Sequence, residues 1–197
     1  EWIIAFDKQL HDLRGAVTAM LERAALEAVG CFRPEEQRAL EAFSIPETAL
    51  RGKGGSCEES QQLLTNLISS DAPFLRAFEA LVEGAVLPAL KARLDAAADT
   101  SSSPAPTTVF WYQNPPTLRL QPGPSTRYVR RHNDGEYGHQ RGELNFWMPL
   151  TDRSLGLPTL WVESHEGAGD DHPLEVDYGS IAAFHGSVCR HYVPANP

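Results

Sequence analysis

The second half of the chain is organised around the stretch Tyr128-Val129-Arg130-Arg131-His132-Asn133-Asp134, which has strand character and ends at an Asn-Asp-Gly turn. Side chains alternate between the two faces of a strand, so four polar side chains are predicted to share one face: Tyr128, Arg130, His132 and Asp134. Such a face is too polar for a hydrophobic core, but it suits the lining of a polar pocket. The alternative is a strand end that turns into an exposed loop, with His132 in solvent.

A later stretch supplies the residues that make this motif chemically interesting: Phe184-His185-Gly186-Ser187-Val188-Cys189-Arg190-His191. A His-x-Asp motif and one later His can bind Fe(II) on one face of the ion and leave the opposite positions open for other ligands. His132 and Asp134 are therefore candidates for the first two metal ligands. On spacing alone, either His185 or His191 can serve as the third.

Composition limits the class of protein and its partners. The chain has 197 residues, of which 42% are hydrophobic and 22% charged, as in an ordinary soluble globular protein of one large domain or two small ones. The net charge of −9 argues against nucleic acid or an anionic membrane as the main partner. No apolar run approaches the roughly 18 residues of a membrane span.

Cysteine usage gives a weaker indication of the compartment. Cys31, Cys57 and Cys189 show no repeated spacing, so neither a disulfide framework nor a zinc ribbon is predicted. A reducing compartment, and hence the cytoplasm, is expected. The chain begins at Glu1 rather than Met, so a targeting segment could have been removed.

Residues 1–103 are predicted to be helical. Apolar residues at three- and four-residue spacing predict helices over 7–29, 56–68 and 73–94, the last kinked at Pro88, and a short helix starts at Pro34 and runs to about residue 43. The apolar stripe of the first helix comprises Leu10, Leu13, Val17, Met20, Leu21 and Ala24. These stripes are interpreted as core faces.

Residues 104–197 are predicted to form strands, after a Ser- and Pro-rich linker at 99–106. Short segments rich in β-branched and aromatic residues, separated by Gly and Pro, predict strands at 107–113, 117–121, 126–131, 143–150, 159–163, 180–184 and 189–193. This pattern favours a sandwich or a jelly roll. The whole is predicted to be one α+β domain, 1–197, with the helices packed on one sheet. The acidic run 163–172 is interpreted as a solvated turn.

Several motifs in the second half resemble one oxygenase family. The stretch Gly142-Glu143-Leu144-Asn145-Phe146-Trp147-Met148-Pro149-Leu150-Thr151 is similar to a segment of Fe(II)/2-oxoglutarate oxygenases of the streptomycin-biosynthesis type, distant relatives of the phytanoyl-CoA hydroxylases. The other matching pieces occur in the same order: His132-Asn133-Asp134, Tyr137-Gly138-His139-Gln140, Leu160-Trp161-Val162-Glu163-Ser164, Phe184-x-Gly186 and Cys189-x-His191-Tyr192. The resemblance covers about residue 107 to the end of the chain.

The resemblance implies a double-stranded β-helix, which is a jelly roll, with a metal at its open end. It places the first two ligands at His132 and Asp134 and the third at His191, because the family's ligand follows Phe-x-Gly-x-x-Cys-x. His185 would then lie beside the ligands or on the substrate side. The implied cofactors are Fe(II) and 2-oxoglutarate.

The family's 2-oxoglutarate anchor is the point at which this chain departs from the pattern. An Arg on the strand after the third ligand usually binds the distal carboxylate, and the chain stops at Pro197 before such a strand. Either that final strand lies beyond Pro197 or another Arg takes the role, and Arg130 is the local candidate. Asn145 and Trp147 share a face of their strand, so they are candidate cofactor contacts together with Tyr128. Core packing is the alternative interpretation for Trp147.

The implied activity is hydroxylation or desaturation of a small-molecule substrate, using molecular oxygen and releasing succinate and carbon dioxide. Two other classes stay open. One is a cupin-like metal-binding isomerase, which would bind a metal without needing 2-oxoglutarate. The other is a jelly-roll binding protein without catalytic activity.

Overall fold

The chain folds into two antiparallel sheets and a layer of helices, as seen in a computed structural model that describes residues 1–24, 40–43, 57–98, 108–119 and 128–196. The linker predicted at 99–106 lies outside the described residues, and so does most of the short helix predicted to start at Pro34.

The described strands are short, and all pair antiparallel. They are β1 (Trp2–Ala5), β2 (Val129–His132), β3 (Asn145–Trp147), β4 (Trp161–Val162), β5 (His172–Pro173), β6 (Ser180–Phe184) and β7 (His191–Val193). One sheet has the order β1-β6-β3 and the other the order β2-β7-β4-β5. The two sheets do not close into a barrel within the described part of the chain.

Strand β6 shows how the layers are arranged, because its side chains alternate between two apolar clusters. Ile181 belongs to a cluster with the helices and with Ile4 of β1. Ala182 and Phe184 point to the other side, where they meet Val162 of β4 and other residues of the second sheet. The three-stranded sheet is therefore covered by helices on one face and by the four-stranded sheet on the other.

The first helix, α1 (Leu13–Arg23), begins later than the periodicity predicts. The Asp12 carboxylate accepts a hydrogen bond of 2.8 Å from the Gly15 N–H, which makes Asp12 the N-cap. Leu10, predicted to lie on the buried stripe, precedes this cap and is 74% exposed. The stripe inside the helix is as predicted, since Leu13, Val17, Met20 and Leu21 are all buried.

The remaining helices are α2 (Cys57–Ser70), α3 (Ala72–Leu81) and α4 (Leu87–Ala98). A π-helical turn, Val82–Val86, joins α3 to α4, and the Leu87 N–H donates to the Val82 carbonyl. Pro88 cannot donate a hydrogen bond, and its ring crowds the carbonyl one turn earlier. The wider π turn directly before Pro88 accommodates both effects, so the helix predicted at 73–94 continues through this residue.

Two predicted strands are wrong over the residues that the structure describes; residues 107, 120 and 121 lie outside them. Residues 108–119 form no strand, although 107–113 and 117–121 have the composition of strands. Val109 is 68% and Trp111 93% exposed, and the Pro115-Pro116 pair has no N–H groups for a ladder. Tyr112 and Leu118 pack on the helical cluster, so the segment contacts helices and not a partner strand. Conversely, β1 and β5 were not predicted, because each is short and is defined by its partner strand.

The α+β class is confirmed by the two antiparallel sheets and the helical layer. The finer prediction of a jelly roll stays a prediction. Among the described residues, no helix has both the length and the apolar character needed to cross a membrane.

Candidate metal centre

Two buried histidines face each other across the junction of β2 and β7. His132 ends β2, His191 begins β7, and the two residues are paired in the antiparallel register. Their rings have centroids 4.5 Å apart, and the residues are only 5% and 7% exposed. A buried pair of histidines needs a polar partner, and Asp134 provides one.

Asp134 brings a carboxylate to both rings. His132 Nε2 lies 3.6 Å and His191 Nε2 3.5 Å from the same oxygen, Asp134 Oδ1. One donor atom from each of the three side chains lies within 4.8 Å of the other two. The structure therefore brings together the three residues predicted as ligands, and their role in binding metal stays a prediction.

The main chain fixes which ring nitrogen of each histidine faces the carboxylate. His132 Nδ1 lies 2.6 Å from the Arg130 carbonyl, and His191 Nδ1 lies 3.1 Å from the Cys189 carbonyl. A carbonyl can only accept, so each Nδ1 is the donor, and Nε2 is the ring nitrogen that faces Asp134. Two Nε2 atoms and a carboxylate oxygen that converge in this way suit a bound cation, which would take the place of any hydrogen between them. The hydrogen bond from the far ring nitrogen is also usual for histidines that bind metals.

Asp134 is itself held from two sides. Its N–H donates to the Gly186 carbonyl at 2.8 Å, which fastens the 3-10 turn Asp134–Tyr137 to the β6–β7 turn. Its Oδ2 accepts a hydrogen bond of 2.7 Å from Asn145 Nδ2. Burial alone would raise the pKa of Asp134, but the contacts with His191 and Asn145 outweigh it and lower this pKa below its ordinary value. The carboxylate is thus ionised at neutral pH, as a metal ligand must be.

Asn145 has a further polar atom that the protein does not satisfy. Its Oδ1 is buried and has no hydrogen-bond partner among the described residues. A Cβ added at Gly186 would lie 2.5 Å from this oxygen, so the amide packs directly on the glycine main chain. This hydrogen-bond acceptor without a partner lies beside the three atoms that could bind a metal. It fits a site that is completed by a bound group, such as a water on a metal.

The donor set can be tested against the metal that it would hold. Two imidazole nitrogens and one carboxylate oxygen are the ligands of the facial arrangement found in non-haem Fe(II) oxygenases. The buried rings, their hydrogen-bonded far nitrogens and the ionised Asp134 all fit such an ion. His132, Asp134 and His191 would hold it.

His185 lies apart from this cluster. The side chain is exposed, and the residue sits in the turn after β6, where its carbonyl accepts hydrogen bonds from the N–H groups of Val188 and Cys189. The turn between His185 and Cys189 reverses the chain direction, which leaves His191 and not His185 opposite His132.

The prediction that four alternating side chains of 128–134 share one face is wrong. The β2–β7 register shifts between Val129 and His132, which interrupts the alternation. Tyr128 is 68% exposed and lines a groove together with Arg131, which had been placed on the opposite face. Tyr128 therefore lies away from the three converging residues.

The other predicted cofactor contacts occupy different positions. Arg130 is exposed and bonds to the Tyr137 hydroxyl at 2.8 Å, at the edge of the site. Trp147 packs against the apolar cluster between the sheets, in line with the alternative interpretation of core packing. Asn145 lies next to the candidate ligand Asp134. One of its N–H groups already donates to that carboxylate and is not free to bind a cofactor.

Several residues that shape the site were not predicted. The ring of Phe184 meets the ring of His191 edge-on, with 5.4 Å between the ring centroids. The ring of Tyr137 meets the ring of His132 in the same way, also with 5.4 Å between centroids. Both Tyr137 and Phe184 lie within the motifs that carry the family resemblance, and this position in the sequence indicates that they belong near the site.

The prediction of a solvated turn is wrong for Glu163. Its side chain is 2% exposed and accepts hydrogen bonds from Arg131 at 2.6 Å, the Arg190 N–H at 2.8 Å and the Gly169 N–H at 3.2 Å. Arg131 bonds at the same time to Asp171, at 2.8 Å. This ion pair, buried on the Glu163 side, joins β2 to the 163–172 loop, and Glu163 fixes the main chain directly before His191.

Comparison with known proteins gives a partial match. An 81-residue segment is 33% identical to the streptomycin biosynthesis protein StrG of Streptomyces griseus. The matched segment covers 41% of this chain and 37% of that protein. No family model matches the chain. No solved structure matches it either. The chain is thus similar over part of its length to one streptomycin biosynthesis protein, and the match spans little more than a third of that relative.

Proposed function

We propose that this chain is the catalytic core of a non-haem Fe(II)/2-oxoglutarate-dependent oxygenase with a jelly-roll fold. The observation that carries the proposal is the convergence of His132, Asp134 and His191, with the two Nε2 atoms 3.6 and 3.5 Å from one carboxylate oxygen. The partial similarity to a streptomycin biosynthesis protein supports a role in small-molecule metabolism.

The bound groups would supply the redox chemistry: Fe(II) with 2-oxoglutarate activates molecular oxygen for hydroxylation or desaturation of a small molecule, with release of succinate and carbon dioxide. The protein supplies position and charge. His132 and His191 bind through neutral nitrogens set by main-chain carbonyls, while Asp134 contributes the negative charge and is oriented by Asn145.

The surroundings of the ligands support a site that restricts water on one side. Phe184 covers one histidine, and the apolar cluster of β4 and β6 lies behind it. The edge occupied by Arg130 and Tyr137 is exposed. Reactants would therefore enter from the Arg130 edge, and apolar packing behind the histidines strengthens their interaction with a cation.

A metal-dependent jelly roll that does not use 2-oxoglutarate is the second candidate, such as a cupin-like isomerase. The observation that favours it is the engagement of Arg130, the local candidate for the 2-oxoglutarate carboxylate, with Glu136 and Tyr137 of its own chain.

The test is addition of Fe(II) and then 2-oxoglutarate to the protein without oxygen, observed by visible absorption. A chelate of 2-oxoglutarate on Fe(II) gives a weak charge-transfer band, and we expect this band in the parent protein and its loss in Asp134→Ala. A matched control is Asp152→Ala, which removes an acidic N-cap from another 3-10 turn. Metal binding without the band would contradict the oxygenase and favour the second candidate.

A further inference from the structure

Each candidate ligand has a charged neighbour at the exposed edge of the site. Arg130 is two residues before His132, Glu136 two residues after Asp134, and Arg190 directly before His191. These three side chains, here called the rim triad, carry two positive charges and one negative charge. The triad therefore carries a net charge of +1 in a chain whose net charge is −9.

Glu136 is shared by the two arginines. Its Oε2 lies 3.3 Å from Arg130 Nη1, and its Oε1 lies 3.2 Å from Arg190 Nη1. Charge-assisted bonds between guanidinium and carboxylate are usually shorter, about 2.7–2.9 Å. One carboxylate spans two guanidinium groups that it does not bind closely, so a second oxyanion can compete for them.

Outside this pair of bonds, the side chain of Arg130 and the main chain of Arg190 each have a further contact. Arg130 Nη2 donates to the Tyr137 hydroxyl at 2.8 Å, and its guanidinium carbon lies 5.4 Å from the centre of that ring. The main chain of Arg190 is fixed by the buried Glu163 carboxylate, at 2.8 Å. A ligand at the rim would therefore meet one guanidinium, that of Arg130, already held in position, which lowers the entropic cost of binding.

The triad also has donor capacity that the described residues do not use. The side chain of Arg190 donates to Glu136 alone within the described part of the chain. The arginine side chains are 58% and 44% exposed and that of Glu136 is 32% exposed, so solvent reaches all three. A planar guanidinium can bind a carboxylate or phosphate through two parallel N–H groups.

We propose that Arg130 and Arg190 form a binding site for an oxyanionic group, a carboxylate or a phosphate, on a molecule that reacts at the neighbouring metal centre, and that Glu136 occupies this site in its absence. The link to a reacting molecule rests on the proposed function, whereas the binding of an oxyanion does not. Tyr137 connects the two regions, since it bonds to Arg130 and packs on His132.

The test uses the metal-free protein with ¹⁵N-labelled arginine and inorganic phosphate as the probe. We expect saturable shifts of the Arg130 and Arg190 side-chain NMR signals, identified by their loss in Arg130→Gln and Arg190→Gln. Glu136→Gln removes the internal competitor and should tighten phosphate binding roughly two- to fivefold, the effect expected of an exposed ion pair.

The matched control is Glu166→Gln, which makes the same charge change at a carboxylate that pairs with the exposed Arg141. It should leave phosphate binding unchanged. Absence of saturable shifts in the parent protein, or equal tightening in Glu166→Gln, would overturn the proposal.

A second arm identifies which molecule carries the oxyanion. Zn(II) replaces Fe(II) to keep the NMR signals sharp, 2-oxoglutarate is added, and the phosphate titration is repeated. Loss of the phosphate shifts assigns the site to 2-oxoglutarate, and retained shifts assign it to the other substrate. Failure of Zn(II) to bind would count against the proposed function and would leave the metal-free result standing.

Discussion

His132 and His191 are direct partners across β2 and β7, and each ring is hydrogen-bonded through Nδ1 to the carbonyl two residues earlier on its own chain segment. The positions of both Nε2 atoms therefore depend on the main chain and on the register of the two strands. A slip of one residue would turn one imidazole to the opposite face. The geometry of the candidate metal centre is thus a property of the sheet itself.

Replacing Asn145 by Ala should weaken metal binding without abolishing it. The change removes the hydrogen bond of 2.7 Å that orients the Asp134 carboxylate. Loss of such a supporting contact typically costs about 10–100-fold in metal affinity. Titration of Fe(II) without oxygen measures the change.

The control for this variant is Asn114→Ala, which removes an exposed hydrogen bond to Glu79 in the first half of the fold. Its metal affinity should equal that of the parent protein. An Asn145→Ala variant that also binds Fe(II) as tightly as the parent would show that Asp134 needs no such support.

Replacing Gly186 by Ala should disturb the site through packing. The new Cβ would lie 2.5 Å from Asn145 Oδ1, so the amide must move and its bond to Asp134 must lengthen. Overpacking of this kind costs about 1–3 kcal/mol of folding free energy. Chemical denaturation should show the lower free energy of unfolding, and Fe(II) titration should show weaker metal binding.

Gly142→Ala is the matched control, because nothing lies within 4 Å of a Cβ built there. It should change neither stability nor metal affinity appreciably. If Gly186→Ala behaved like Gly142→Ala, the close contact between Gly186 and Asn145 would not matter for the site.

Replacing Glu163 by Gln should destabilise the protein at neutral pH and make it less sensitive to acid. The buried carboxylate accepts hydrogen bonds from Arg131 and from the N–H groups of Arg190 and Gly169, and losing the charge costs about 1–3 kcal/mol. Burial by itself would raise the pKa of Glu163, but these contacts lower it below the ordinary value of 4.5.

The direction of the acid effect follows from that lowered pKa. Glu163 contributes its stability above pH 4.5, the ordinary value, and the contribution is lost as the pH falls through the lower pKa of the folded state. Urea unfolding from pH 6 to acid should thus show a smaller loss of stability for Glu163→Gln than for the parent. An equal loss in both proteins would contradict the role given to this carboxylate.

The sequence identified the converging residues better than it identified the strands that carry them. His132, Asp134 and His191 were found because the order of several motifs constrained them, and a metal site needs particular side chains. Strands β1 and β5 were missed because two to four residues carry too little periodicity, and each exists through pairing with β6 or β4. Residues 108–119 show the converse, since strand-like composition without a partner strand gives no sheet.

The fine structure of the site was also beyond what alternation can predict. The register shift between Val129 and His132 places Tyr128 away from the three converging residues, and nothing in the local sequence marks the shift. The acidic run around Glu163 indicates a solvated carboxylate, yet it is bonded by Arg131 and the Arg190 N–H from distant segments and by the Gly169 N–H of its own loop. Such contacts depend on tertiary structure and cannot be read from neighbours along the chain.

The central claim is that His132, Asp134 and His191 together hold one metal ion. Calorimetric titration of Fe(II) without oxygen into the parent, His191→Ala and His185→Ala proteins tests it most directly. We expect one equivalent bound by the parent and by His185→Ala, and no comparable binding by His191→Ala. Loss of binding in His185→Ala with retention in His191→Ala would contradict the account.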